Sequence, residues 1–304
     1  MTKNYLLVCL LILFVIPTYP STVLPGESSL KITWFGSSCI VLSDGKDSIL
    51  FDPFFTRASM WEVVSFQKLK SHPGTVKNWL SKVDVESISA IVTSHTHYDH
   101  VLDLVEAEKL TKAKIFGSVS TKNIALGGGV LKNNISIIDK GAAFKVGDFT
   151  IDVKAGEHPP HFLGLTLAAG KITTPLKPGA SAYSYKKDQD FSFFISHPKG
   201  NVFFHPSGNS TLVKKDMGNF KANLVILGVA NRKSSADLLE KVVAPVDASI
   251  IIPVHFDNIF TPLEKGPEHL FGVDMNEFYQ TTHAKMKSVE IKTLNVGETF
   301  NYIN

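Results

Sequence analysis

Cysteine is nearly absent, with two in 304 residues, Cys9 and Cys39. Cys9 lies inside an apolar run instead of at its end, which argues against a lipid-bearing cysteine, so a processed chain would keep Cys39 alone and form no internal disulfide. Long hydrophobic runs are equally scarce. The longest near the N-terminus, Leu6–Ile16, follows Lys3 and is broken by Pro17-Thr18-Tyr19-Pro20-Ser21. It is too short to span a bilayer and suits a secretory leader. Pro20 and Tyr19 stand where small residues would mark a cleavage site, which keeps an uncleaved anchor as the alternative. Residues 1–24 are therefore read as a signal peptide or N-terminal anchor and residues 25–304 as a single domain. The expected location is extracytoplasmic (periplasmic or secreted), with a membrane-anchored form as the alternative.

Blocks of like charge are missing too. The 31 Lys and Arg against 28 Asp and Glu leave +3, and no basic patch points to nucleic acid. There is no Gly-x-Ser-x-Gly elbow for a serine nucleophile. Gly127-Gly128-Gly129 lacks both the preceding strand and the following Lys-Ser/Thr of a phosphate loop, and reads as a flexible turn. Cys39, beside Ile40, is expected to pack and not to attack.

What is abundant is apolar sequence, 44% hydrophobic against 19% charged, enough to bury a core and exclude a disordered chain. Strand patterns appear at 31–35, 39–42 and 48–51 as a meander, then at 90–93, 149–153, 191–195, 202–204, 224–227, 250–254 and 289–294. Helical spacing follows at Leu102, Val105, Ala107 and Leu110, and again near 236–243 and 276–287. The stretch from Phe54 to Ser81 has no sustained period and reads as an excursion with short helices, of the kind that borders active sites. Interleaved strands and helices without a repeat or linker predict an α/β domain of two sheets with helices outside.

The chemistry concentrates in Ser94-His95-Thr96-His97-Tyr98-Asp99-His100, directly after the apolar run Ala90–Thr93. Along an extended segment His95, His97 and Asp99 point one way, and a following turn brings His100 near. One loop could thus supply ligands to two neighbouring cations. Imidazole and carboxylate suit zinc or iron, and a hydroxide shared by two metals is a nucleophile at neutral pH. The plainer alternative is a polar loop capping the next helix.

This pattern resembles the first motif of the metallo-β-lactamase superfamily, His-x-His-x-Asp-His at a strand end in a four-layer αββα sandwich. The resemblance implies further ligands downstream. His158, first after the strand at 150–153, matches the second motif, with His161 as the alternative, and His255, ending Ile250–Val254, matches the last. Asp52, after 49–51, matches a position that orients a ligand histidine, although an Asx turn would account for it equally. One position departs. Where the superfamily bridges its metals with the Asp of Gly-Asp-Ser/Thr, this chain has Gly208-Asn209-Ser210, so Asn209 offers a neutral amide and the second metal should be held less tightly, although the resemblance extends to a subclass without that Asp in which residues matching Asp99, His100 and His255 hold the second metal alone. His205 could substitute, although an edge or turn histidine is the plainer reading. His72, His197, His269 and His283 read as surface residues.

The motifs around 32–36, 51–54, 94–100 and 253–256 are similar to those of the branch that includes ascorbate-lactone hydrolases and N-acyl-phosphatidylethanolamine-hydrolysing phospholipase D. The resemblance implies a hydrolase of an ester, lactone or phosphodiester that works through a metal-bound hydroxide. The cofactor would be one or two zinc ions, or iron or manganese, and Asp99 would both ligate and orient the nucleophile. The expected partner is a small-molecule or lipid-like substrate, with association to a membrane surface and oligomeric state left open. Two alternatives stand beside it: a β-lactam hydrolase, and a binding protein that kept the fold with a weakened metal site.

Overall fold

The computed structural model describes residues 29–159, 168–210 and 217–303, so the leader expected at 1–24 and the alternative ligand His161 lie outside the described residues. Among these residues the strands form two seven-stranded sheets. The first holds β1 (Ser29–Trp34), β2 (Ile40–Ser43), β3 (Ser48–Phe51), β4 (Ile88–Val92), β5 (Lys114–Gly117) and β6 (Ile135–Ile137). The second holds β7 (Ala143–Val146), β8 (Phe149–Ala155), β9 (Phe191–Ser196), β10 (Val202–His205), β11 (Leu224–Gly228), β12 (Ile250–Val254) and β13 (Glu290–Ile291). The last strand, β14 (Thr299–Ile303), returns to the first sheet and pairs with β1. Strands joined by short turns are antiparallel, as in β1–β2–β3, β7–β8 and β9–β10, and β8 and β9 are antiparallel as well, across the long connection 156–190. In the runs β3–β4–β5–β6 and β10–β11–β12–β13, where helices or excursions separate the strands, neighbours are parallel.

Alternation along each strand sorts the layers. Ile32 and Trp34 of β1, Ile49 and Phe51 of β3 and Val92 of β4 meet Phe149, Ile151, Phe193 and Phe204 in one buried cluster between the sheets. Leu50 and Ile91, on the other face of the same strands, pack against helices. On that side lie α1 (Met60–Val64), α2 (Pro73–Leu80), α3 (Tyr98–Val101), α4 (Leu104–Thr111) and α5 (Val119–Gly127), with Val76, Leu80, Leu104 and Ile124 at the contact. The second sheet is covered by Ser235–Leu238, its continuation Leu239–Val243 and Met275–Lys285, through Leu238, Val242 and Phe278. The result is the expected four-layer αββα sandwich. Among the described residues no helix is long and apolar enough to cross a membrane.

Several local expectations need correction. The strand expected over 289–294 pairs only at Glu290 and Ile291. The next bond from β12 would have to come from Pro253, which has no N–H to give. Gly127-Gly128-Gly129 is no flexible turn but the end of α5, where the Gly128 and Gly129 amides cap the last carbonyls and Gly129 takes φ +88°. His197, expected on the surface, is buried. Its Nε2 donates to Asp44 Oδ2 at 3.2 Å and its Nδ1 accepts from the Lys199 amide at 3.1 Å, because the β9–β10 turn folds onto the β2–β3 turn.

Candidate metal centre

The strand β4 ends at Val92, and Thr93 still follows the sheet through its amide bond to Phe116 O. Beyond it, His97 is the N-cap of α3 with φ −65° and ψ 151°. The helix therefore begins one residue before Asp99, and the expectation that His95, His97 and Asp99 share one direction is corrected. The three groups divide. His95 and His97 converge with His158, their potential ligand atoms all within 4.8 Å of one another, and Asp99 and His100 in the first turn of α3 converge in the same way with His255. Ring centroids are 4.9 Å apart for His95–His97, 4.8 Å for His97–His158 and 3.8 Å for His95–His100, so the two triads are neighbours.

Hydrogen bonds set the rings. His100 Nδ1 donates to Asp52 Oδ2 at 2.8 Å, which leaves Nε2 directed toward Asp99 Oδ2, 3.7 Å away. His255 Nε2 lies 3.3 Å from the same oxygen. His158 Nδ1 donates to the Pro159 carbonyl at 2.6 Å. Asp52 also accepts from the Ser94 amide and hydroxyl at 2.6 and 2.5 Å, so it ties β3 to the histidine loop. The orienting role read for Asp52 is thus present in the geometry. Its backbone is left-handed at φ 46°, as are Ser37 at 46° and His255 at 56°. Three non-glycine residues in this sparse region around one centre mark a backbone held against its preference. The hold is visible: the His255 amide donates to Ser37 O at 2.9 Å, and the Ser37 amide donates to Asp257 Oδ1 at 2.7 Å, while the buried Arg57 guanidinium pairs with Asp257 Oδ2 at 3.0 Å.

Asp190 was not foreseen, and it joins three ligand-bearing segments. Its carboxylate lies 3.9 Å from His95 Nδ1 and accepts from the Ser207 hydroxyl at 3.4 Å, its carbonyl accepts from Gly156 N at 2.6 Å, and the next amide, Phe191 N, donates to Ser94 O at 3.0 Å. No spacing in the sequence points to it, because a lone Asp before a strand is an ordinary turn residue. Gly208 lies beside this junction, where a Cβ would meet the Ala230 carbonyl. Among the other expectations, His205 is neither an edge residue nor free to ligate: it is buried, its Nδ1 accepts from the Ser192 hydroxyl at 2.7 Å and its Nε2 donates to Asn209 O at 2.7 Å. Asn209 is itself buried, next to the Ser207-Gly208 turn that lines a narrow cavity with His100, His158 and His255.

The electrostatics suit cations. Burial and the neighbouring imidazoles His100, His97 and His158 push His95 well below the ordinary histidine range, which keeps it in the neutral form that ligates. Burial opposes the charge on Asp99, but His100, His255 and His97 outweigh it and hold the carboxyl well below its usual range. Burial works against the charged form of His100 as well, and Asp52 and Asp99 prevail and raise it. Carboxylates that draw a proton to this ring draw a dication to the same place. Burial pushes Asp190 up to about 6 despite Lys187.

His95 Nε2, His100 Nε2 and His255 Nδ1 are buried without a hydrogen-bond partner. Buried ring nitrogens cost stability when left unpaired. Three imidazoles in one triad and two imidazoles with a carboxylate in the other are donor sets for transition-metal dications, so the residues present fit the implied metals.

The comparisons with known proteins agree with this geometry. A metal-dependent hydrolase of Methanopyrus kandleri is 23% identical over 275 residues, covering 89% of this chain and 99% of that protein. A probable L-ascorbate-6-phosphate lactonase, UlaG of Escherichia coli, is 22% identical over 82% of this chain and 74% of its own. Among solved structures, the isothiocyanate hydrolase from Delia radicum gut bacteria superposes with a TM-score of 0.57 at 15% identity, covering 90% of this chain and 100% of that one. The metallo-β-lactamase fold protein YhfI from Bacillus subtilis does so with 0.56 at 13%, with the same coverage. The sequence pattern described as the beta-lactamase superfamily domain matches residues 31–255, and the chain belongs to the metallo-β-lactamase superfamily.

Proposed function

We propose that this metal-dependent hydrolase cleaves an ester, lactone or phosphodiester at the paired triads His95–His97–His158 and Asp99–His100–His255. The observation that carries the reading is the pair itself, two ligand sets side by side in a buried cleft. Zinc, or iron or manganese, held there would supply Lewis acidity and make water nucleophilic near neutral pH. Asp99 reaches the cleft from the first turn of α3, with its side chain 13% exposed. Its ionised carboxylate orients the attacking water, accepts its proton and returns it to the leaving group. Asp52 fixes the ring of His100, and the Arg57–Asp257 pair fixes the turn that carries His255.

Asn209 stands where a carboxylate bridge would add charge, so the Asp99 triad, which relies on one carboxylate, holds its ion more weakly than a bridged site would. The lactonase name of the Escherichia coli relative makes a lactone one of the first substrates to try. An activity outside the cytoplasm follows from the Leu6–Ile16 run and is part of the same proposal.

The test is elemental analysis of protein purified without chelators, together with turnover of a panel of esters, lactones, phosphodiesters and β-lactams. Bound transition metal and hydrolysis of at least one carbonyl or phosphoryl substrate are expected, with Asp99→Ala slower by about 10²-fold or more. Absence of metal after titration, or full activity in Asp99→Ala, would overturn the reading. Hydrolysis confined to the β-lactams would move it to that class.

A further inference from the structure

A cleft of about 400 Å³ opens directly over the triads, with His97, Asp99, His158 and His255 on its floor. Its walls are mostly apolar, with Val63, Tyr183, Ile259, Phe260, Leu270 and Phe271 in the lining beside the two uncharged amides Asn231 and Asn258. The volume falls in the range of pockets that enclose a small ligand. The apolar surface does not stop at the mouth. Phe271 is fully exposed there, at 101% of its reference area, and Met60 of α1 is 57% exposed. Trp61 and Val64 of the same helix and Phe66 after it are likewise exposed, and Phe66 stacks on Tyr183 at 4.5 Å. α1 buries none of its residues, so these side chains do not serve the core. Isolated exposed apolar residues need no explanation, but a collar of them continuous with a cleft over a reactive centre does.

The other half of the observation concerns charge. Neither Lys nor Arg is among the described residues that line the cleft. A phosphorylated sugar would bring two negative charges that need cationic or multiple N–H partners away from the reacting atoms. An uncharged chain needs only apolar wall.

We infer that the substrate is an ester or lactone with an uncharged apolar chain: its carbonyl meets the triads and its chain lies along Val63, Tyr183, Ile259 and Phe271 toward the collar. The reaction rests on the hydrolase reading above, whereas the ligand class rests on the cleft. Two measurements on the zinc-loaded full chain keep them apart. One is calorimetric binding of straight-chain alkyl hydroxamates from two to ten carbons. The other is hydrolysis of p-nitrophenyl esters of the same lengths. Affinity and kcat/KM should rise with length, by up to about fourfold per methylene until the cleft is filled. Phe271→Asp should flatten both slopes. Because Phe271 is fully exposed, the variant should fold, which its melting temperature would verify. Slopes that are flat in the unaltered protein would overturn the inference, as would better turnover of a phosphorylated sugar lactone than of the longest ester. Affinity that rises with length while no ester, lactone or phosphodiester is hydrolysed would support the ligand class and overturn the hydrolase reading instead.

Discussion

Asp52 and Asp190 are buried carboxylates that each address one triad, Asp52 through His100 Nδ1 and Asp190 beside His95 Nδ1. Partners that orient ligand rings carry about 10–100-fold in metal affinity. Asp52→Ala should therefore weaken the Asp99–His100–His255 site by that factor and leave the other triad much less affected, and Asp190→Ala should do the reverse. Competition with a chromophoric chelator resolves two unequal steps and shows which one moves. Equal weakening of both steps by either variant would contradict the assignment. At this same scale the sequence displayed one of these residues and hid the other. Asp52 stands at a strand end before Pro53, where a motif can be matched, whereas Asp190 becomes meaningful only when β8, β9 and the histidine loop meet.

Between elements, the two hairpin turns that close the sheets are joined by Asp44. It accepts from the amides of Lys46 and Asp47 within its own turn and from His197 across the sandwich, and its carbonyl accepts from Lys199 Nζ at 2.6 Å. Burial alone would raise Asp44, but the amides of Asp47 and Lys46 and the His197 ring outweigh it and hold the carboxyl below the usual carboxylate range. A carboxylate whose folded value is depressed contributes stability that is present above about pH 4 and is lost as pH falls through the lowered value. Asp44→Asn should cost about 1–3 kcal/mol at pH 7. Chemical denaturation should show the gap to the unaltered protein narrowing below pH 4, and a gap that widens on acidification would exclude the role. Asp44 and Lys46–Asp47 read as a turn in the sequence. Their bond to His197 did not, because a histidine 153 residues away gives no local signal.

For the whole molecule, the unpaired ring nitrogens gather where the two sheets and the α3 side converge, so metal binding and folding are coupled. Ligand at about a thousandfold its Kd adds about 4 kcal/mol to a fold that does not bind it when unfolded. A domain of this size should then lose on the order of 10 °C in Tm on chelation. Calorimetric scans with and without chelator, followed by zinc, would measure it. A Tm indifferent to metal would mean that the triads are not occupied in the folded state.

The layer count, the paired sheets and the reactive loop were legible in the chain. Apolar runs bounded by turns specify strands locally, and His95, His97, Asp99 and His100 fall within one short loop whose density has no ordinary structural use. Short β5, β6 and β7 were not legible, since three or four residues carry little pattern and owe their pairing to neighbours already in place. Likewise, that Asp99 leaves His97 and joins His255 depends on where α3 begins, and that Asp190 supports His95 depends on contacts between segments far apart in sequence. Periodicity and turn chemistry act between near neighbours, so the sequence by itself determined the sheets and the loop. Only tertiary packing decided which ligands share a site, what holds them and how apolar a cleft lies above them, because those are properties of residues that meet only after the two sheets have closed.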